Sequence, residues 1–477
     1  MPAAFPPSIL KPLQLTDLSG GMISFASGML LPANTASQAI NLHFDTIGEV
    51  TQRFGTTKLG DTVNAGQTPT GTAQYVSSDG ATNRLFAGFG TSVFGYDGST
   101  YTAVRTGLTG ANVRMTEFAN VMIMVGGGSD TALSTGGAFT SGTGIVTSAP
   151  SGKFVESFKE RVYIAGNATN PDRLFRSSII SSTGTVTWDT SSTGPWVDVN
   201  PDDGQNMTAL SKTADVLTVY KDFSLYRYNG TALAYVGPVG TPSQESVVAL
   251  KGINFFFSSN PLGIYATDGT MPVEIGRPVQ DWLQAMDPAF YDNVSALADD
   301  NHVYVNIGSV TRSGRTYTNA QLVYTVSSKN WHVNLFADDF RAMCPYITAA
   351  GAVTFVGADT DGMVQTLFSG NTDNGTPITY EYVTKELEGD ARSTTKSLTE
   401  AALFVKNGNG TYLSVAEGNG VFKPAGVATA QISTLKGLDF RGNYFRLKAT
   451  GINAATPVVI QGMGINHWVS LGILDRS

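Results

Sequence analysis

The sequence predicts an all-β protein: a β-propeller built of four-stranded antiparallel blades, followed by a C-terminal β-sandwich-like domain. Three observations carry that prediction. Turn dipeptides that take φ > 0 cheaply are dense along the chain, short apolar or alternating runs lie between them, and four-strand units return about every 40 to 50 residues. Composition agrees. Gly supplies 53 of 477 residues, charged residues are only 14%, and 42% are hydrophobic, enough for a real core. An average soluble domain is roughly 25% charged. A strongly charged disordered protein is excluded, and so is a helical or coiled-coil one, which would need many more Lys, Glu, Arg and Leu.

The elements follow in order. Gln74-Tyr75-Val76, Arg84 to Gly88, Ser92 to Tyr96 and Tyr101 to Val104 read as one four-stranded meander, with turns at Asp79-Gly80 and Asp97-Gly98. The cadence returns in Phe158 to Ala165, where a charged hairpin splits an apolar run. It continues in Asp215 to Tyr220 and Leu225 to Tyr228 before the Asn229-Gly230 turn. Ile253 to Phe257 and Gly263 to Ala266 precede Asp268-Gly269, and His302 to Ile307, Gln321 to Val326 and Trp331 to Val333 follow. Val353 to Val356 and Val364 to Phe368 flank Asp361-Gly362. One helix is expected, from Pro278 to Met286, with Val279, Trp282, Leu283 and Met286 on a face that packs between blades. From Pro377 the cadence stops, so the domains are predicted as an N-terminal arm over 1–60, a propeller over 61–376 and a separate β domain over 377–477.

Motifs for catalysis are absent from the sequence. There is no nucleophile elbow, phosphate loop or dinucleotide fingerprint, so Gly126-Gly127-Gly128 and Gly408-Asn409-Gly410 read as turns. His43, His302, His332 and His467 are far apart in sequence and Cys344 is the single cysteine, so no metal-ligand spacing exists and no disulfide forms within the chain. The tryptophans beside His332 and His467 suggest packing at strand ends. Asp202-Asp203, Asp299-Asp300, Asp338-Asp339 and Asp359-x-Asp361-Gly362 could supply glycosidase carboxylates or calcium ligands. A calcium loop starting at Asp359 needs Glu where Gly370 stands. The expectation is no catalytic residue, no cofactor and no metal. A net charge of -8 argues against general nucleic-acid binding. The start MPAAFPPSILKPLQL does not read as a signal peptide, and no apolar run is long enough to span a membrane.

The first sixty residues hold Leu18-Ser19-Gly20-Gly21-Met22, Pro32-Ala33-Asn34, Ala39-Ile40-Asn41-Leu42-His43-Phe44-Asp45, Gly48-Glu49-Val50 and Arg53-Phe54-Gly55. Further on, in order, come Arg161 to Asn167, Asn170-Pro171-Asp172-Arg173, Asp202 to Leu210, Val219 to Tyr226 and Asp373 to Ile378. This ordered set resembles the tail-nozzle proteins of short-tailed bacteriophages, also called packaged-DNA stabilisation proteins. The likeness covers most of the chain and is closer before about residue 270.

The resemblance implies a structural virion protein of the viral tail, made in the host cytoplasm. It implies a propeller-based subunit assembling as a hexamer at the head-tail connector, below the portal and the tail adaptor protein. That ring is the distal tail tube for DNA ejection, closed by a needle or plug protein and bordered by tail fibres or spikes. Phage DNA passes through it without sequence-specific binding, and an acidic lumen would let it slide. Ser19, Gly20, Gly21, Asn41, Phe44, Asp45, Gly48, Arg53 and Gly55 are the expected assembly or structural motif, the glycines serving turns and Phe44 and Phe54 packing. Two other readings stay open. One is a propeller that binds a receptor or glycan, with or without hydrolase activity; the other is a different internal tail ring or hub.

Overall fold

The computed structural model describes residues 8–472 except 183, 189–195, 214, 390, 409 and 454–455. The expected turn at Asn409-Gly410 and the sequence start therefore lie partly outside the described residues. The chain is a seven-bladed β-propeller joined to a β-sandwich. Blades 1 to 5 are separate four-stranded antiparallel sheets over 69–105, 113–141, 154–198, 207–237 and 248–274. Blade 6 is Ser295–Ala298, His302–Arg312, Arg315–Thr325 and Asn330–Leu335. Blade 7 has Phe340–Ile347, Val353–Asp359 and Val364–Leu367 and borrows its outermost strand, Thr56–Lys58, from the N-terminal region. The innermost strands touch in succession, and Phe340–Ile347 meets Pro69–Val76 to close the ring.

Local chemistry explains the blades. Lys159 and Glu160 both take positive φ (45° and 59°), which makes the tight turn between Phe154–Phe158 and Arg161–Ala165 match strand twist. Asp97 Oδ1 accepts from the backbone N–H of Ser99 and Thr100, fixing the next turn's geometry through its side chain. Apolar residues of neighbouring blades interdigitate: Tyr75, Phe86 and Val93 of blade 1 pack with Met122 and Met124 of blade 2. Each such side chain, fully buried, contributes on the order of 1.5–3 kcal/mol. The expected helix is shorter than its apolar face suggested. A 3-10 turn at Arg277–Val279 leads into Gln280–Leu283, and Val279, Trp282 and Leu283 are wholly buried between blades 5 and 6. Met286 instead bridges to Val310 of blade 6.

The sandwich is made from both ends of the chain. One sheet runs Ala36–Ile40, Thr376–Thr384, Phe445–Asn453, Tyr412–Glu417 and Lys423–Val427. The other pairs Ile432–Gly442, Thr395–Lys406 and Val459–Gly472. Ser8–Ile9, Leu13–Leu15 and Val50–Gln52 hydrogen-bond along the edge that Val459–Gly472 would otherwise expose. Leu403, Leu413, Leu447, Met463 and Trp468 fill the interior between the sheets. Of the segment expected as an N-terminal arm over 1–60, the described strands up to Val50–Gln52 thus belong to the sandwich, while Thr56–Lys58 belongs to blade 7. The boundary expected at 376/377 falls inside the hairpin of Thr372–Asp373 with Thr376–Thr384. Ala36–Ile40 also pairs in parallel with Asn330–Leu335, so the sheet of blade 6 continues unbroken into the sandwich. No helix among the described residues is long and apolar enough to cross a membrane.

Candidate functional site

The motif residues of the N-terminal region gather at the joint between propeller and sandwich. Ser19-Gly20-Gly21 is a turn held between Asn34 and Asn330: Gly20 N–H donates to the Asn34 carbonyl at 3.0 Å and Asn330 Nδ2 to the Ser19 carbonyl at 2.5 Å. Gly21 takes φ +73°, and a Cβ there would lie 2.7 Å from that of Asn330, so a side chain is doubly excluded. Met22 N–H then donates to the Trp331 carbonyl, docking the turn on blade 6. The Gly48 carbonyl accepts from Leu18 N–H and closes the loop that carries Phe44 and Asp45.

Asn41 and Arg53 form the centre. Asn41 has φ 56°, a conformation Asn tolerates, and this turns its amide inward. Its Nδ2 donates to the Thr379 carbonyl of the sandwich, while its Oδ1 accepts from Leu335 N–H of blade 6 and from Arg53 Nε. The Arg53 side chain is fully buried and makes a bidentate pair with Asp373 at 2.8 and 2.6 Å. Its remaining N–H groups donate to the carbonyls of Phe54 and Leu335, so all five donors are used. The guanidinium also lies 4.1 Å over the ring of Phe336. One side chain therefore ties blade 6, the blade 6–7 linker and the strand that pairs with blade 7. At Gly55 a Cβ would lie 2.0 Å from the Thr372 carbonyl oxygen, so only glycine allows the chain to pass.

Beside this hub sits a cluster that sequence spacing did not reveal. His43, His302 and His332 converge, with ring centroids 4.6 Å apart for His43–His332 and 6.2 Å for His43–His302. His302 is clamped between two carboxylates, Nε2 at 2.8 Å from Asp45 and Nδ1 at 2.9 Å from Asp299. Burial alone would lower its pKa; the bonds to Asp299 and Asp45 outweigh that and push it up to about 9. Burial would raise Asp299, but His302 and the Asn301 N–H bring it down to about 2. Asp45 is held well below the usual carboxylate range by its bonds to His302 and then His43. His332 is wholly buried with neither ring nitrogen bonded, and His43 Nε2 is likewise shut from solvent without a partner. Burial lowers the pKa of both, and the neighbouring imidazoles lower it further. His332 lies within Asn330–Leu335 beneath the sandwich rather than at a strand end. The signal available in sequence was weak: His43 lies in the N-terminal motif, His332 adjoins Trp331, and position 302 is silent.

Ser19, Phe44, Asp45, Ile47, His302 and Asn330 line an open cleft of about 500 Å³ at this joint. No group of three or more His, Cys, Asp or Glu among the described residues has an arrangement fit to hold a metal ion.

The other acidic pairs are placed apart from this site. Asp203 and Asp172 both accept from Lys221 Nζ at 2.8 Å, and the Asn200 carbonyl completes its three bonds. The segments 170–173, 202–210 and 219–226 thus meet on one buried ammonium. Asp338 and Asp359 share the Gln365 amide nitrogen, at 2.7 and 2.6 Å, in the linker and outer half of blade 7, and burial raises both pKa values. Asp359 Oδ1 accepts from the N–H groups of Asp361 and Met363, which makes the segment a tight turn. Along the propeller axis, Arg114 of blade 2 reaches Glu245 before blade 5 at 2.9 Å, crossing a cavity also lined by Glu156 and Gln244.

No family model matches the chain, and no curated protein matches it. Among solved structures it is similar to the N-terminal domain of Nup159 (10% identity, TM-score 0.39, 69% of this chain and 98% of that one). It is also similar to the Neurospora crassa Pan2 WD40 domain (9%, TM-score 0.39, 67% and 98%). A third is the computationally designed Ika8 protein (11%, TM-score 0.38, 65% and 99%). The propeller assignment rests on strand pairing and ring closure within this chain, and these distant likenesses say nothing of its activity.

Proposed function

We propose that the chain is a structural virion protein, the subunit of the tail nozzle of a short-tailed bacteriophage. Six copies would form a ring below the portal and adaptor, and packaged DNA would be retained by it and then leave through it. One observation carries the reading: residues of the N-terminal motif lock propeller and sandwich into one body through Asn41, Arg53 and the Ser19-Gly20-Gly21 turn. A conduit subunit under load needs that rigidity, and sequence is constrained where a buried network has to be fully satisfied. The net charge of -8 suits a lumen that repels phosphates. The test is the mass of the native assembly by light scattering, alone and with an isolated portal–adaptor complex. Hexamers that bind the complex support the nozzle; trimers, or a monomer that ignores the complex, contradict it.

A further inference from the structure

We propose that His43, His302 and His332 form a pH-sensitive latch at the joint between propeller and sandwich, closed at neutral pH and loosened by acid. The inference is independent of the nozzle reading. The joint holds three imidazoles through two ring contacts, yet its carboxylates come within 3 Å of His302 alone; Asp45 stands 3.7 Å from His43, and neither ring nitrogen of His332 is bonded. Asp299 and Asp45 both bond His302, which is the cluster's resident cation. The ionisable groups that face His43 are Asp45 at 3.7 Å on its own loop, His302 from blade 6, His332 from the outer strand of blade 6, and Arg53 just after the adjoining strand Val50–Gln52. Arg53 is itself committed to Asp373. His332 is faced by His43, His302 and Asp45, and Tyr304 is bonded to Asp299.

A second proton would therefore enter a buried site beside an imidazolium and a guanidinium, where the one nearby carboxylate is already bonded. His332, with both ring nitrogens buried and unbonded, gains a proton when the strands covering it separate, namely Ala36–Ile40 and Leu42–His43 from Asn330–Leu335, and the same opening frees the buried Nε2 of His43. Each excluded proton makes that opening about tenfold easier per pH unit below the free histidine pKa of about 6.5. His302, charged throughout that range, does not change the slope, and its clamp keeps the Asp45 loop attached while the neighbouring strands part.

The test is hydrogen–deuterium exchange of the intact protein at pH 7.5 and 5.5, after scaling for the intrinsic exchange rate. The expected result is roughly 10- to 100-fold faster opening at pH 5.5 in peptides from 36–44 and 330–335, with blades 1 to 4 unchanged. Equal protection at both pH values would overturn the latch. So would a loss spread evenly over all blades, because that reports global unfolding. In a His43→Gln/His332→Gln variant the pH dependence should vanish from those peptides; a variant that keeps it also overturns the proposal. If that variant does not fold, the wild-type comparison alone decides.

Discussion

Replacing Arg53 by Ala removes five hydrogen bonds from a site without solvent. Asp373, whose side chain is 6% exposed, loses both bonds from its cation, the carbonyls of Phe54 and Leu335 each lose a donor, and Asn41 Oδ1 keeps only the Leu335 N–H. Breaking a buried ion pair by removing one partner costs about 3–5 kcal/mol. Each neutral acceptor left without a donor adds about 1 kcal/mol at the low end, though waters entering the cavity offset part of it. The predicted loss is about 4–6 kcal/mol, read from urea unfolding of the isolated protein. The double variant Arg53→Ala/Asp373→Ala should be less damaged than the sum of the singles by about 2 kcal/mol, since no charge is then stranded. An Arg53→Ala protein within about 0.5 kcal/mol of wild type, the range of ordinary surface substitutions, would refute the joint as a stabilising hub.

Three further outcomes are expected. The raised pKa of His302 contributes stability that is complete below pH 6.5 and is lost as pH rises through about 9. At 1.36 kcal/mol per unit, and discounted because Asp45 is half exposed, the loss is about 2 kcal/mol; Asp45→Asn should reduce it in urea midpoints at pH 7 and 9.5, with Asp299 sustaining the remainder. Gly55→Ala should cost about 1–3 kcal/mol by forcing the chain away from Thr372, and should raise exchange at Thr56–Lys58 as blade 7 loses its outer strand. Lys221→Met strands Asp172 and Asp203 together and should destabilise blades 3 and 4 by about 3–5 kcal/mol, read from urea unfolding; a loss below about 1 kcal/mol would refute the buried ammonium as their tie.

Blade strands were legible in sequence because each is local. An alternating run between two Asp-Gly or Asn-Gly turns has few other ways to bury its apolar face, and Ser92–Tyr96 runs over the residues the pattern indicated. Ring closure was not legible, since Thr56–Lys58 finds Val364–Leu367 about 300 residues away and neither strand's composition encodes its partner. The same holds for the sandwich, where Leu13–Leu15 and Val50–Gln52 complete an edge formed by residues near the other end. The motif positions were visible as a pattern, but their work was not. Asn41 and Arg53 read as ordinary polar residues until Leu335, Asp373 and Thr379 surround them. The histidine cluster was hidden for the same reason, with members separated by 30 to 289 positions along the chain.

Negative-stain electron microscopy of the purified protein, alone and mixed with the tail adaptor ring, decides whether it assembles as the proposed ring subunit of a phage tail. Six-fold rings or short tubes that stack on the adaptor are the expected result. Isolated propeller-sized particles that leave the adaptor bare would contradict it and direct attention to glycan binding and hydrolysis instead.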